Sequence, residues 1–127
     1  MVPFLLIAAG GALGALGRYA LAAFVDGRLG GRFPWGTLAV NFTGAALIGA
    51  LAGLWLSDDG AAGTAWMFLV IGVLGSYTTV SSFSLQTLEL FQAGRIAAAG
   101  ALALLSLTGC LMLAWGGFAL VAMLAGA

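Results

Sequence analysis

The chain has 127 residues, 63% of them hydrophobic and 6% charged, with no His and a formal net charge of zero. A soluble surface carries about 25% charged residues, so a soluble globular domain is excluded, and without a basic cluster nucleic acid is a poor partner. One cysteine, Cys110, excludes an intramolecular disulfide, and the lack of His removes His-ligated metal centres and Ser-His-Asp chemistry, so the chain reads as a non-enzyme.

A membrane-crossing helix needs about 20 largely apolar residues. Four stretches qualify. The first covers about 2–24, interrupted only by Arg18. No basic region precedes it and it is longer than a signal-peptide core, so it is predicted to be a span. Asp26 to Pro34 is polar and glycine-rich and reads as a short turn. The second span covers about 35–56 and ends at Ser57-Asp-Asp-Gly60. The third, about 65–92, has apolar ends but a middle in which six of the nine residues from Ser76 to Ser84 are Ser or Thr. Ala93-Gly-Arg95 connects it to the fourth, about 96–124. Short connections make neighbouring helices antiparallel, so residues 1–127 are predicted to form a single all-α domain of four transmembrane helices.

Many of the 21 glycines sit inside these spans, with Gly10 and Gly14, and Gly49 and Gly53, spaced as G-x-x-x-G. Small residues four apart let helix backbones approach closely in lipid. Each pair serves packing within the chain, and their number in so short a sequence also suggests that two copies assemble. Arg28, Arg32 and Arg95 all fall at one side of the predicted bundle. The positive-inside rule places that side in the cytoplasm and both termini outside.

Polar groups inside hydrocarbon must face protein or water. Thr37 and Asn41, four residues apart, share a helix face. They form either an interhelical clasp, worth about 0.6 to 2 kcal/mol, or part of a polar route. The Ser/Thr cluster of the third span, preceded by Gly72 and Gly75, can divert hydrogen bonds from the helical ladder. A helix broken at mid-depth frees carbonyl oxygens, which are ligands for a hard monovalent cation. Ser106 and Cys110 add a second polar column at i, i+4. Hydroxyls and amides donate hydrogen bonds without a permanent charge, and Phe ring edges are electropositive. Mid-membrane carboxylates are missing. This chemistry leans toward an anion that must shed water without being trapped.

Gly17-Arg18-Tyr19, Gly36-Thr-Leu-Ala-Val-Asn-Phe-Thr-Gly44 and Gly72-Val-Leu-Gly-Ser-Tyr-Thr-Thr-Val-Ser-Ser-Phe-Ser84 resemble the Fluc (CrcB) fluoride channels, in order and spacing over all four spans. The resemblance implies passive, fluoride-specific export through a dual-topology antiparallel homodimer in the cell (inner) membrane, with the third helix broken and two pathways at the subunit interface. It implies that Asn41 and Phe83 line the fluoride pathway, with Thr37, Ser81, Ser84, Ser106 and Cys110 as further candidates for its polar track. It also implies one structural sodium ion (Na+), not transported, held at the dimer centre by main-chain oxygens of Gly75 and Thr78. Arg18 matches an interface or vestibule arginine. Three positions depart from the pattern. Val80 stands where the family has its first pore phenylalanine, Gln86 where an acid is common, and the arginine bias exceeds that expected for equal insertion both ways. A paired subunit of opposite orientation would account for the last.

Two rivals remain. A small multidrug-resistance-type antiporter needs a membrane-embedded glutamate on the first span, where this chain has Arg18. A non-transporting membrane assembly subunit needs only small-residue faces, and leaves Asn41 and the Ser/Thr cluster without a purpose.

Overall fold

The computed structural model describes residues 1–55 and 63–125, and all its regular elements are helical. Helix α1 (Val2–Leu29) is followed by α2 (Trp35–Trp55). The third span starts with α3 (Thr64–Trp66), continues as a π-helix over Met67–Leu74 and closes with one α turn, α4 (Gly75–Tyr77). Helix α5 (Ser81–Gln92) completes it, and α6 (Ile96–Ala125) is the fourth. Four segments are long and apolar enough to cross a membrane, which makes this a multi-pass membrane protein. The end of the second span at Leu56 and the acidic pair Asp58 and Asp59 lie outside the described residues.

Helix α1 continues five residues beyond the apolar stretch that ends at Phe24, so Asp26 and Arg28, expected in a turn, are helical. Polar residues are compatible with a helix once it has left hydrocarbon, and Arg28 lies over the Phe24 ring at 4.8 Å. Chain reversal needs left-handed backbone at Gly30 (φ 78°) and again at Gly94 (φ 73°), a conformation glycine adopts without steric cost. Arg95 Nη1 donates to the Arg32 carbonyl, which fastens the two arginine-bearing turns together at one end of the bundle. At the other end, Trp55 and Trp66 meet edge to face with centroids 5.3 Å apart.

Packing is by backbone approach rather than by large interlocking side chains. The most extensive contact joins α2 to α6, and the next joins α1 to the π-helix. A Cβ on Gly10 would lie 2.5 Å from the Phe68 carbonyl oxygen, and one on Gly14 would overlap the Val73 carbonyl. On the other seam, a Cβ on Gly49 would overlap the Ala114 carbonyl and one on Gly53 would lie 2.8 Å from that of Phe118. Both G-x-x-x-G pairs are thus used within the chain. A small apolar core of Leu38, Leu90, Ala99 and Leu102 gathers Phe33, Phe42 and Phe83 around it. Phe4, Leu16, Met112 and Trp115 are exposed, as lipid-facing residues are.

Glycine contact predicts an asymmetric response to substitution. Gly49→Val should lower the stability of detergent-purified protein by about 1–3 kcal/mol, the usual cost of overpacking. Gly100→Ala, where a Cβ meets nothing within 4 Å, should be neutral or mildly stabilising. Thermal unfolding of the two variants side by side checks this, and equal melting temperatures would refute the packing account.

Candidate functional site

Thr78, Thr79 and Val80 lie between α4 and α5, with Thr78 in extended conformation (ψ 155°). The Thr78 amide makes the last helical bond, to the Leu74 carbonyl at 3.1 Å, and its hydroxyl donates to the same oxygen at 3.0 Å. Thr79 then turns to α2. Its N–H donates to Asn41 Oδ1 at 2.8 Å, and its carbonyl accepts from Asn41 Nδ2 at 2.9 Å. The side-chain amide thus acts as a substitute peptide, and the fixed donor at Thr79 decides which Asn41 atom is oxygen. One Asn41 N–H is left over, because a primary amide carries two.

The Thr79 hydroxyl accepts from the Ser82 amide at 3.1 Å and so starts α5. Two diversions follow by counting along the helical ladder, where each N–H serves the carbonyl four residues back. The Thr79 N–H that would serve Gly75 goes to Asn41, and the Ser82 N–H that would serve Thr78 goes to the Thr79 hydroxyl. The carbonyls of Gly75 and Thr78 both lose their helical donors this way. Nearby, Tyr77 Oη lies 2.8 Å from Thr43 Oγ1, which also donates to the Ala39 carbonyl at 2.8 Å. Gly44 leaves room for the Thr78 methyl, which a Cβ there would overlap, and for the Tyr77 ring 3.2 Å away.

The candidate residues divide among three surfaces. Asn41, Phe83, Ser106 and Cys110 line one groove of 670 Å³ together with Thr78, Thr79 and Val80. Ser106 is buried, and its Oγ has no hydrogen-bond partner among the described residues. Thr37 and Arg18 instead line a separate inner cavity of 230 Å³ with Tyr19, Asp26, Ser82 and Gln86. The shared helix face of Thr37 and Asn41 therefore does not open into one space. Thr79, which lines both, stands between them. Ser84 is exposed in a shallow groove of 560 Å³ beside Phe83 and Phe91. Ser81 is also exposed, with its Oγ 3.2 Å from Thr79 Oγ1. Gly75 is exposed and Thr78 half-buried. Val80, 76% exposed, puts an aliphatic side chain at the rim of the Asn41 groove.

Three contributors escape a reading of composition and spacing. Thr79 is one hydroxyl among six in its stretch, with no Glu or Gln three residues on to mark it as a cap. Asp26 reads as a turn residue, yet its Oδ1 accepts from the Gly36 amide at 2.7 Å and caps a different helix. The Tyr77–Thr43 hydroxyl pair joins residues 34 apart and leaves no local signal.

A family model described as "CrcB-like protein, Camphor Resistance (CrcB)" matches residues 5–118. The chain belongs to the CrcB family. A Thermus thermophilus relative named "Fluoride-specific ion channel FluC" is 50% identical over 124 residues, covering 97% of this chain and 96% of the relative. One of the same name from Rhodospirillum rubrum is 47% identical over 115 residues, 88% of each chain. Another, from Anaeromyxobacter sp. (strain K), is 40% identical over 126 residues, 99% of this chain and all of the relative. The family match extends over part or all of each of the four spans.

The Asn41–Thr79 pairing carries a stability prediction. Asn41→Leu strands a donor and an acceptor of Thr79, each costing about 1–3 kcal/mol when buried and unpaired. Asn41→Asp keeps the bond from the Thr79 N–H but sets two acceptors against each other at the Thr79 carbonyl. Thermal unfolding should rank wild type above both variants. A wild-type melting temperature for Asn41→Leu would mean that Thr79 finds other partners.

Proposed function

We propose that this chain is the subunit of a passive, fluoride-specific ion channel in the cell (inner) membrane, a conductor rather than an enzyme. Its relatives' names support the ion. The observation that carries the mechanism is the groove shared by Asn41, Phe83, Ser106 and Cys110, whose lining contains no carboxylate among the described residues. Its polar atoms are neutral donors: the spare Asn41 N–H, the unpartnered Ser106 hydroxyl and the Cys110 thiol. Neutral donors replace part of an anion's hydration without holding it, which is what conduction requires. The Phe83 ring edge adds a further electropositive contact. Val80 leaves one side of this groove aliphatic, so the pathway relies on a single ring here. Thr37 and Arg18 belong to the approach, and Ser81 and Ser84 to its outer margin. Proton-coupled exchange is the poorer reading, because no acid among the described residues lines the groove itself.

Two such subunits form an antiparallel homodimer in this proposal, with the interruption of the third span at its centre. The Gly75 and Thr78 carbonyls, deprived of their helical donors, are suited to a sodium ion. The chemistry fits, since neutral carbonyl oxygens are hard ligands. Two oxygens from one chain leave a coordination shell incomplete, and a second copy supplies the others. When bound, the ion would neutralise the carbonyl dipoles and hold the two interruptions together. The Arg28, Arg32 and Arg95 bias favours one orientation, so a paired subunit of opposite orientation is the alternative to a homodimer in this proposal.

In proteoliposomes, fluoride efflux should require only a charge-balancing ionophore and no proton gradient, and should exceed chloride efflux. Asn41→Asp and Phe83→Ile should each reduce it, by about tenfold or more for a loss of about 1.4 kcal/mol of ion stabilisation. Obligatory proton coupling, or wild-type flux in an assembled Asn41→Asp dimer, would overturn the reading.

The sodium proposal has its own test. Exhaustive exchange of sodium for a bulky organic cation should abolish flux and weaken the dimer. Thr78→Ser should behave as wild type, whereas Thr78→Pro should distort the backbone and lose both. Unchanged flux and dimer in verified absence of sodium would show that the diverted carbonyls serve another purpose.

A further inference from the structure

The Asn41 groove and the Arg18 cavity lie on either side of Thr79, and the Arg18 cavity in turn shares part of its wall with a third space. That outer cavity, of 330 Å³, lies at the end of the bundle where the arginine-bearing turns are fastened, and its lining includes Gly31, Glu89 and Arg95. Asp26 and Gln86 line both the inner and the outer cavity and are the residues common to the two. An ion moving from the bundle end toward Asn41 would cross at these two side chains, pass Arg18 and Thr37, and reach Thr79.

The two side chains of this neck differ in kind. Asp26 is anchored to α2, its Oδ1 accepting from the Gly36 amide at 2.7 Å. A Cβ on Gly36 would lie 2.5 Å from Asp26 Oδ2 and 2.6 Å from the Ala22 carbonyl, so the glycine is what allows the carboxylate to seat. A carboxylate on the first amides of a helix is favourable, and the helix N-terminus offsets part of its charge. Gln86 Oε1 is buried with no partner among the described residues. The charged groups facing the neck are Glu89 and Arg95 on the outer side and Arg18 on the inner side.

We infer that Asp26 is a rate-determining residue of anion entry: clamped on α2, its carboxylate forms with Gln86 the neck between outer and inner cavities, and its negative charge limits the rate at which fluoride passes. This rests on the fluoride-channel reading above and adds a residue to it. Clamping also holds α2, and with it Asn41, against α1, so a structural effect must be separated from the electrostatic one.

Ionic strength separates them. Asp26→Asn keeps an oxygen for the Gly36 amide and removes the charge, whereas Asp26→Ala removes both. In proteoliposomes at low ionic strength, Asp26→Asn should pass fluoride about threefold faster than wild type, and added impermeant salt should erase the difference. Asp26→Ala should melt at a lower temperature. Asp26→Ser, which keeps a neutral oxygen on a shorter side chain, is read in the same way should Asp26→Asn fail to assemble. A neutral variant that assembles and conducts at the wild-type rate at every ionic strength would overturn the inference. So would an equal loss of flux in Asp26→Asn and Asp26→Ala irrespective of salt, which would make Asp26 a helix cap only. Lack of fluoride flux in the wild type would overturn the channel reading itself, and this inference with it.

Discussion

Hydrocarbon offers a peptide group no alternative partner, and the whole arrangement around the third span depends on how that constraint is met at Thr79. One asparagine side chain on α2 supplies both the acceptor and the donor that the Thr79 peptide needs, at 2.8 and 2.9 Å. With that peptide satisfied, the chain can leave one helix at Tyr77 and enter another at Ser81 inside a membrane span. The same pairing takes the Thr79 N–H away from Gly75, and the Thr79 hydroxyl takes the Ser82 N–H away from Thr78. A clasp and a functional group are therefore not rival descriptions of Asn41. It satisfies a backbone and releases two carbonyls elsewhere, and the proposed channel uses its remaining N–H.

The surrounding bundle is built to hold that pairing with little material. Backbone contact at Gly10 and Gly14 on one seam, and at Gly49 and Gly53 on the other, leaves α1 beside the π-helix and α2 beside α6. Close approach supplies packing enthalpy where water expulsion is unavailable. It also explains why so few side chains are fully buried, Leu102 and Val40 being the largest. At the bundle end, Asp26 fixes the first turn of α2 and Arg95 ties the two turns together, so the helix bearing Thr37 and Asn41 is held from its N-terminus as well as along its length.

Much of this was legible because composition and period speak strongly in a membrane chain. Four apolar runs separated by short polar turns leave little choice of architecture, and Asn41 within an apolar run is conspicuous. Helix ends were less legible. The apolar run stops at Phe24 but the helix stops at Leu29, because leaving lipid changes what side chains are tolerated and does not end the hydrogen-bond ladder. Thr37 and Asn41 share a face in sequence, yet open into different cavities because Thr79 is inserted between them. The π-helix over Met67–Leu74 has no pattern of its own, since wide turns arise from what packs against them. Which of six neighbouring hydroxyls would cap α5 was equally unreadable, as the choice is made by the distant Asn41.

The central claim is that the Asn41 side chain holds the Thr79 peptide in the geometry on which conduction depends. Amide hydrogen exchange at Thr79 and fluoride efflux, measured on wild type and Asn41→Val in the same lipid, test it most directly. Loss of the pairing should raise the Thr79 exchange rate by about tenfold or more, equivalent to about 1.4 kcal/mol, with fluoride efflux falling in parallel. Unchanged protection at Thr79 together with wild-type efflux would contradict it.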